Sequence, residues 1–335
     1  MRTRFLVSLS ALATAIAVAQ TWAPSLTQDG QPDLQGTWLS RSATPLERPR
    51  ALDGRQYLTE AEVAELKKRA ERIFSNEQSD YAGGDNAFLA ALANVEQFQA
   101  SAHTTGNIGD MIEREFDNRT SLIVDPADGK IPALTPEGQR RQAAALAKAA
   151  VDHPPGRPED LPAHVRCITF GVPRLGGNFG AGPFSYYQIR QSPGYVVFFM
   201  EAIHDARIIP LDGRPHLPQA IRTWNGDSRG RWEGQTLVVD TANFSPKSNF
   251  MGSAENLHLV ERFTRVAADE IDYEITLDDA TTWIRPWTAM IRLKQTQEEV
   301  YEYACHEGNR VLEDVLKVAR TQERAAQENA AKRPK

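Results

Sequence analysis

The chain has 335 residues, with 38 Lys+Arg against 44 Asp+Glu and a formal net charge of -6. An acidic chain with no basic block is a poor candidate for nucleic-acid binding. Its one long apolar run, at the N-terminus, is too short to cross a bilayer comfortably, and no flexible linker divides the chain into two domains.

The first nineteen residues read as an export signal. Met1, Arg2, Thr3 and Arg4 give a basic start, residues 5–18 an apolar run, and Ala17-Val18-Ala19 the small-x-small pattern that a signal peptidase accepts. Cleavage after Ala19 would place a mature chain beginning at Gln20 in the periplasm or outside the cell. ATP, NAD and coenzyme A are not available there, so no organic cofactor is expected, and a disulfide is permitted.

Residues 21–55 are rich in Pro, Gly and polar types and read as an extended arm entering a first strand near 36–39, at Gly36-Thr37-Trp38. Thr59-Glu60-Ala61-Glu62 forms a capping box, and Val63, Leu66, Ala70 and Ile73 at helical spacing predict a helix to about Phe74. A second helix is expected over 87–101. A third begins at Thr135-Pro136-Glu137 and runs to about Val151, with Pro at the first helical position.

Beyond the Pro-rich break at 153–162 the pattern changes to strands, at 186–191, 195–209, 219–224, 231–243, 257–265, 271–278, 288–295 and 300–306. Turn residues such as Ser192-Pro193-Gly194 and Glu233-Gly234 punctuate them. About eight strands with no intervening helix imply an antiparallel up-and-down barrel, since closure removes exposed edges; a sandwich is the alternative. A helix from about Arg310 to Glu328 and a charged tail end the chain. The division is therefore signal peptide (1–19), arm and helical layer (20–162), β-barrel (163–309), and C-terminal helix and tail (310–335), a mainly β fold with α.

Cys167 and Cys305 are the two cysteines. In an oxidising compartment a bridge is favoured over free thiols, and the chain-entropy model values closure of so long a loop at roughly 4–5 kcal/mol. The rival reading is a nucleophilic Cys305 beside His306 and Glu307.

Four stretches, YVVFFMEAIHDARIIPLDGRPH (195–216), WNGDSRGRWEGQTLVVDT (224–241), HLVERFT (258–264) and YACHEGN (303–309), resemble a large family of uncharacterised secreted bacterial proteins. Gly36-Thr37-Trp38 is similar to the Gly-x-Trp opening of lipocalin-like (calycin-like) barrels. The resemblance implies the barrel and carries no assigned activity.

Chemistry-bearing residues concentrate on two strands. In 195–209, side chains alternate, so Glu201, Asp205 and Arg207 share one face and His204 takes the other. In 257–265, His258 and Arg262 share one side, and Leu259, Glu261 and Phe263 the other. If His204 and His258 both face inward they would form an acid–base pair, with Arg207 or Arg262 stabilising a developing anion. The plainer account makes these residues rim ion pairs and a hydrogen-bonded core histidine. His103, His153 and His164, in polar or Pro-rich stretches, rank lower.

No metal is expected: a site would require His204, His216, His258 and His306 to converge without any ligand motif. No Gly-x-Ser-x-Gly elbow supports a serine hydrolase. Tyr186, Tyr187, Trp224 and Trp283, with His216 and His306, are candidate ligand contacts, and the glycine-rich 176–182 segment a candidate lip over the barrel mouth. Two functions follow: a cofactor-independent hydrolase or lyase cleaving an aromatic small molecule, such as a plant-derived phenolic or aryl ether, or a lipocalin-like carrier of an apolar ligand.

Overall fold

The computed structural model describes residues 22–74, 86–94, 115–150, 156–174 and 186–331. The leader, His103, His153 and the 176–182 segment lie outside the described residues.

Strand alternation builds a nearly closed antiparallel barrel. Its strands are β1 (Gly36–Ser40), β2 (Ile123–Asp125), β3 (Tyr186–Ser192), β4 (Tyr195–Met200), β5 (Asp205–Pro210), β6 (Asp227–Glu233), β7 (Thr236–Ala242), β8 (His258–Ala267), β9 (Glu270–Asp278) and β10 (Trp287–Thr296). The order around the barrel is β5-β4-β3-β1-β10-β9-β8-β7-β6, with β2 beside β10. An odd circuit of antiparallel neighbours leaves its first and last strands pointing the same way. The strand order therefore ends at β5 and β6, which face each other as parallel neighbours without a ladder.

Parallel neighbours need a crossover, and residues 211–226 supply it. At one end of this seam Gly230 allows close approach: a Cβ there would lie 2.6 Å from Leu211 Cδ2 and 2.9 Å from Ile209 Cγ2. At the other end the seam is held by side chains.

On β9 and β10 the inward set is apolar. β9 buries Ile271, Tyr273, Ile275 and Leu277, and β10 buries Trp287, Ala289, Ile291 and Leu293, with polar residues between them facing out. Phe198, Phe263, Tyr273 and Tyr187 form a chain of rings with successive centroid separations of 4.7, 4.3 and 6.2 Å. The barrel interior is thus filled by side chains, each worth about 1.5–3 kcal/mol of apolar burial.

Among the described residues four α-helices accompany the barrel: α1 (Glu60–Phe74), α2 (Asn86–Ala93), α3 (Pro136–Ala150) and α4 (Val311–Ala331). The capping box forms as read, with Thr59 N donating to Glu62 Oε2 at 2.8 Å and Glu62 N to Thr59 Oγ1 at 3.3 Å. α1 and α2 share a small second core with Leu52, Leu58 and Phe116. α3 docks through Thr135 N to Thr282 O at 2.9 Å, and Gly138 is required there because a Cβ would sit 2.6 Å from that same carbonyl.

Four expected strands differ in the structure. The 195–209 run is a hairpin, because Ile203 (φ 59°) and His204 (φ 43°) enter the left-handed region that β-branched residues avoid, and they reverse the chain between Met200 and Asp205. The 231–243 run is also a hairpin, turning at Gly234 (φ 61°) and starting at Asp227. Residues 219–224 belong to the crossover, with a single bridge from Thr223 to Phe244. Residues 300–306 form no strand; they make an irregular strap whose backbone is held by side chains and by the disulfide.

Candidate functional site

Inside the barrel, an ionic cluster crosses the seam. Arg207 on β5 meets Glu261 on β8 in a two-pronged pair, Nη1 to Oε1 at 3.1 Å and Nη2 to Oε2 at 2.5 Å, with side chains 7% and 0% exposed. Arg207 Nη2 also donates to Ser228 Oγ on β6 and Thr241 Oγ1 on β7, and Tyr273 Oη donates to Glu261 Oε1 at 2.5 Å. One guanidinium therefore ties β5 to three strands across the gap. Burial disfavours its charge, but Glu261 outweighs that and raises the Arg207 pKa; burial pushes Tyr273 well up and Tyr187 to about 12.

Below this cluster lies a second buried pair. Arg174 Nη2 donates to Asp205 Oδ2 at 3.2 Å and to Ala202 O at 3.1 Å, and Thr169 Oγ1 sits 2.8 Å from both Asp205 Oδ2 and Asn225 Oδ1. Burial lowers the Arg174 pKa.

These residues floor the end of the barrel where β5, β6 and β8 begin, and there the long loops enclose open space. A cavity of about 250 Å³ is lined by Phe170, Val172, Pro173, Trp224, Phe244, Phe250, Met251 and Leu257. It adjoins a groove of about 830 Å³ bordered by Glu159, Asp160, His164, Arg166, Lys247 and Asn249. A further recess of about 390 Å³ opens at the seam between Arg207, Asn225 and Ser228. Trp224 lines all of them. The shape is that of a small-molecule site, apolar walls with a few convergent polar groups.

The groove wall is anchored from behind. His164 stacks on Phe170 (5.2 Å, 14° between planes), Arg174 lies 5.8 Å over the same ring, and Tyr303 meets it edge-on at 6.3 Å. The strap that carries Tyr303 is fixed by Tyr301 N to Glu201 Oε2 at 3.0 Å, by the contact of His204 Nδ1 with Tyr303 O at 3.4 Å, and by Asn309 Nδ2 to Val165 O at 3.3 Å. The Cys167–Cys305 disulfide, with Cα atoms 5.8 Å apart, fastens strap and wall together. Cys305 is therefore no free nucleophile. One face of His164 is covered, and that burial lowers its pKa.

On the outer surface a chain of acids and imidazoles pins the crossover. His216 Nδ1 lies 3.0 Å from Asp227 Oδ2 and its Nε2 lies 2.8 Å from Asp240 Oδ1; His258 Nε2 lies 2.9 Å from Asp240 Oδ2. Leu217 N also donates to Asp227 at 2.8 Å, and Arg229 Nη1 lies 2.7 Å from the other Asp227 oxygen. Both ring nitrogens of His216 can donate at once only in the imidazolium form.

The predicted residues thus scatter. His204 and His258 do not share an interior: His204 sits on the exposed β4–β5 corner, and His258 is on the outward face of β8. Glu201, Asp205 and Arg207 do not share a face, because the turn at Ile203 separates the first from the others. Glu201 bonds the strap, and burial raises its pKa. Arg207 pairs with Glu261, while Arg262 reaches Glu233 at 2.9 Å on the outside. Tyr187 is core, Tyr186 bonds Glu298, Trp283 is buried against Trp287 (5.7 Å), and His306 is exposed. Of the expected ligand contacts, Trp224 lines the groove.

Sequence reasoning missed Thr169, Phe170, Arg174, Phe244 and Phe250, and ranked His164 low. The available signal was the proximity of Thr169 and Phe170 to Cys167, which any bridge would immobilise. Among the described residues, no group of His, Cys, Asp and Glu is arranged to hold a metal, and no helix is long and apolar enough to cross a membrane. No protein-family model matches the chain, and no curated protein matches it either.

Proposed function

We propose that the protein is an exported binding protein for a flat, apolar small molecule held against Trp224 at the open end of the barrel. The carrying observation is the cavity of about 250 Å³ walled by Phe170, Trp224, Phe244 and Phe250, next to a barrel whose inward rings pack on one another. The Cys167–Cys305 bridge supports an oxidising compartment. Placement of His204 and His258 away from one another removes the acid–base pair that would favour an interior catalytic site.

A cofactor-independent enzyme acting on an aromatic ligand is the second reading, favoured by one feature. His164, in the groove wall, is kept toward its neutral form by burial, as a general base requires. Trp224→Ala and His164→Gln separate the two. Titration with a panel of aromatic probes is expected to show Trp224→Ala weakening binding at least about tenfold. Unchanged affinity in that variant would overturn the site. Turnover by the wild-type protein, lost in His164→Gln with binding retained, would replace the carrier by the enzyme.

A further inference from the structure

We propose that the groove selects a neutral amphiphile, a flat apolar ring system joined to a hydroxyl-rich group as in an aryl glycoside. The ring occupies the apolar cavity and the hydroxyls occupy the adjoining, more polar groove. This inference rests on the Trp224 groove being the binding site. The two compartments share Phe170, Gly171, Trp224, Ser248, Asn249 and Met251, so one molecule can lie in both.

Their chemistry differs. In the cavity, the hydroxyls of Ser248 and Ser253 are already committed inside the protein, to Trp224 O at 2.7 Å and Asp279 Oδ2 at 2.5 Å. A ligand polar atom placed there would leave water for few partners, which is unfavourable without a compensating hydrogen bond. The part in the cavity must therefore be apolar. An apolar cavity of about 150 Å³ accepts benzene, and this one, at about 250 Å³, suits a somewhat larger ring.

The groove carries both signs of charge, Glu159 and Asp160 against Arg166 and Lys247. Balanced charges give no preference for an ion, whereas the cations can donate to hydroxyl groups and the carboxylates accept from them. Asn249 is exposed at the boundary, and its Oδ1 accepts from Gly252 N at 2.8 Å, which leaves the amide turned to donate. The ring of Trp224, between the two compartments, offers a face to either half of such a ligand.

Calorimetric titration of the oxidised protein with 2-naphthyl glucoside, 2-naphthol, glucose and laurate tests the inference. The glucoside should bind at least about tenfold more tightly than 2-naphthol, and glucose alone should give no measurable signal. Lys247→Ala combined with Glu159→Ala, exposed positions that border the groove and do not line the cavity, should erase the glucoside's advantage over 2-naphthol. Binding of 2-naphthol as tight as the glucoside, or of laurate tighter than both, would overturn the inference while the groove stands. Failure of every probe, in wild type and Trp224→Ala alike, would sink the groove reading as well.

Discussion

Two polar clusters serve the same weak point of the barrel from opposite sides. The inner one, Arg207 with Glu261, Tyr273, Ser228 and Thr241, bridges the seam between β5 and β6 from the largely buried side. The outer one, Asp227, His216, Asp240 and His258, pins the crossover that joins those strands and stands partly in water. Both are built from ordinary charged side chains, and burial decides what each is worth. A charge that cannot reach water holds the fold or breaks it, whereas a half-exposed one adjusts a loop.

The sharpest way to break the comparison is to remove one member of the inner pair. Glu261→Ala leaves the Arg207 guanidinium buried without its counter-charge and is expected to cost about 3–5 kcal/mol, measured as a fall in the denaturant midpoint. The double variant Arg207→Met, Glu261→Leu should recover much of that loss, because two desolvated charges then give way to packing. If the single and double variants are equally unstable, the pair is not an isolated ionic stitch and the seam depends on some other contact.

A smaller effect is expected at the groove wall. Cys167→Ser with Cys305→Ser should lower stability by about 2–4 kcal/mol through the unfolded chain. It should also weaken ligand binding, since Phe170, His164 and the strap lose their shared anchor. The comparison sharpens if reductant abolishes binding while the far-ultraviolet signature of the barrel persists. Equal loss of both would make the bridge part of the barrel itself.

Period-2 patterning made β9 and β10 readable, because each buries one apolar face and turns a mostly polar one outward. The bridge was readable from the number of cysteines and the inferred compartment. The β4–β5 reversal was not, since Ile203 is a β-branched type that seldom takes positive φ, and only its tertiary setting holds it there. The strap at 300–306 has strand-like alternation but pairs with no strand, its Tyr301 N going to Glu201. Nor could the partner of Arg207 be read: Glu261 is 54 positions away on a strand that the incomplete closure brings opposite. The groove is likewise a meeting of 159–174 with 244–257, and nothing local in either segment specifies the other.

The smallest expected effect lies in the outer cluster and appears as a change with pH. Hydrogen bonding to Asp240 outweighs burial and raises the His258 pKa; burial would raise Asp240, but its bonds to His258 and His216 hold it low. Asp278, opposite His258 on β9, adds to the raising, and Arg229 balances Asp227. A raised imidazole contributes stability that is complete below its unfolded pKa, about 6.5, and disappears as pH rises through the higher folded value. A lowered carboxylate contributes stability that is present above its unfolded pKa, about 3.9, and is lost as pH falls through the folded one. The cluster is therefore most cohesive between these limits. With the His258 side chain 47% exposed, the contribution should not exceed about 0.2–1 kcal/mol after solvent screening. His258→Gln should flatten the decline in denaturant midpoint above about pH 6.5 while leaving the inner pair intact. An unchanged pH profile in that variant would show that the outer chain does not hold the crossover, and that the seam is governed from inside alone.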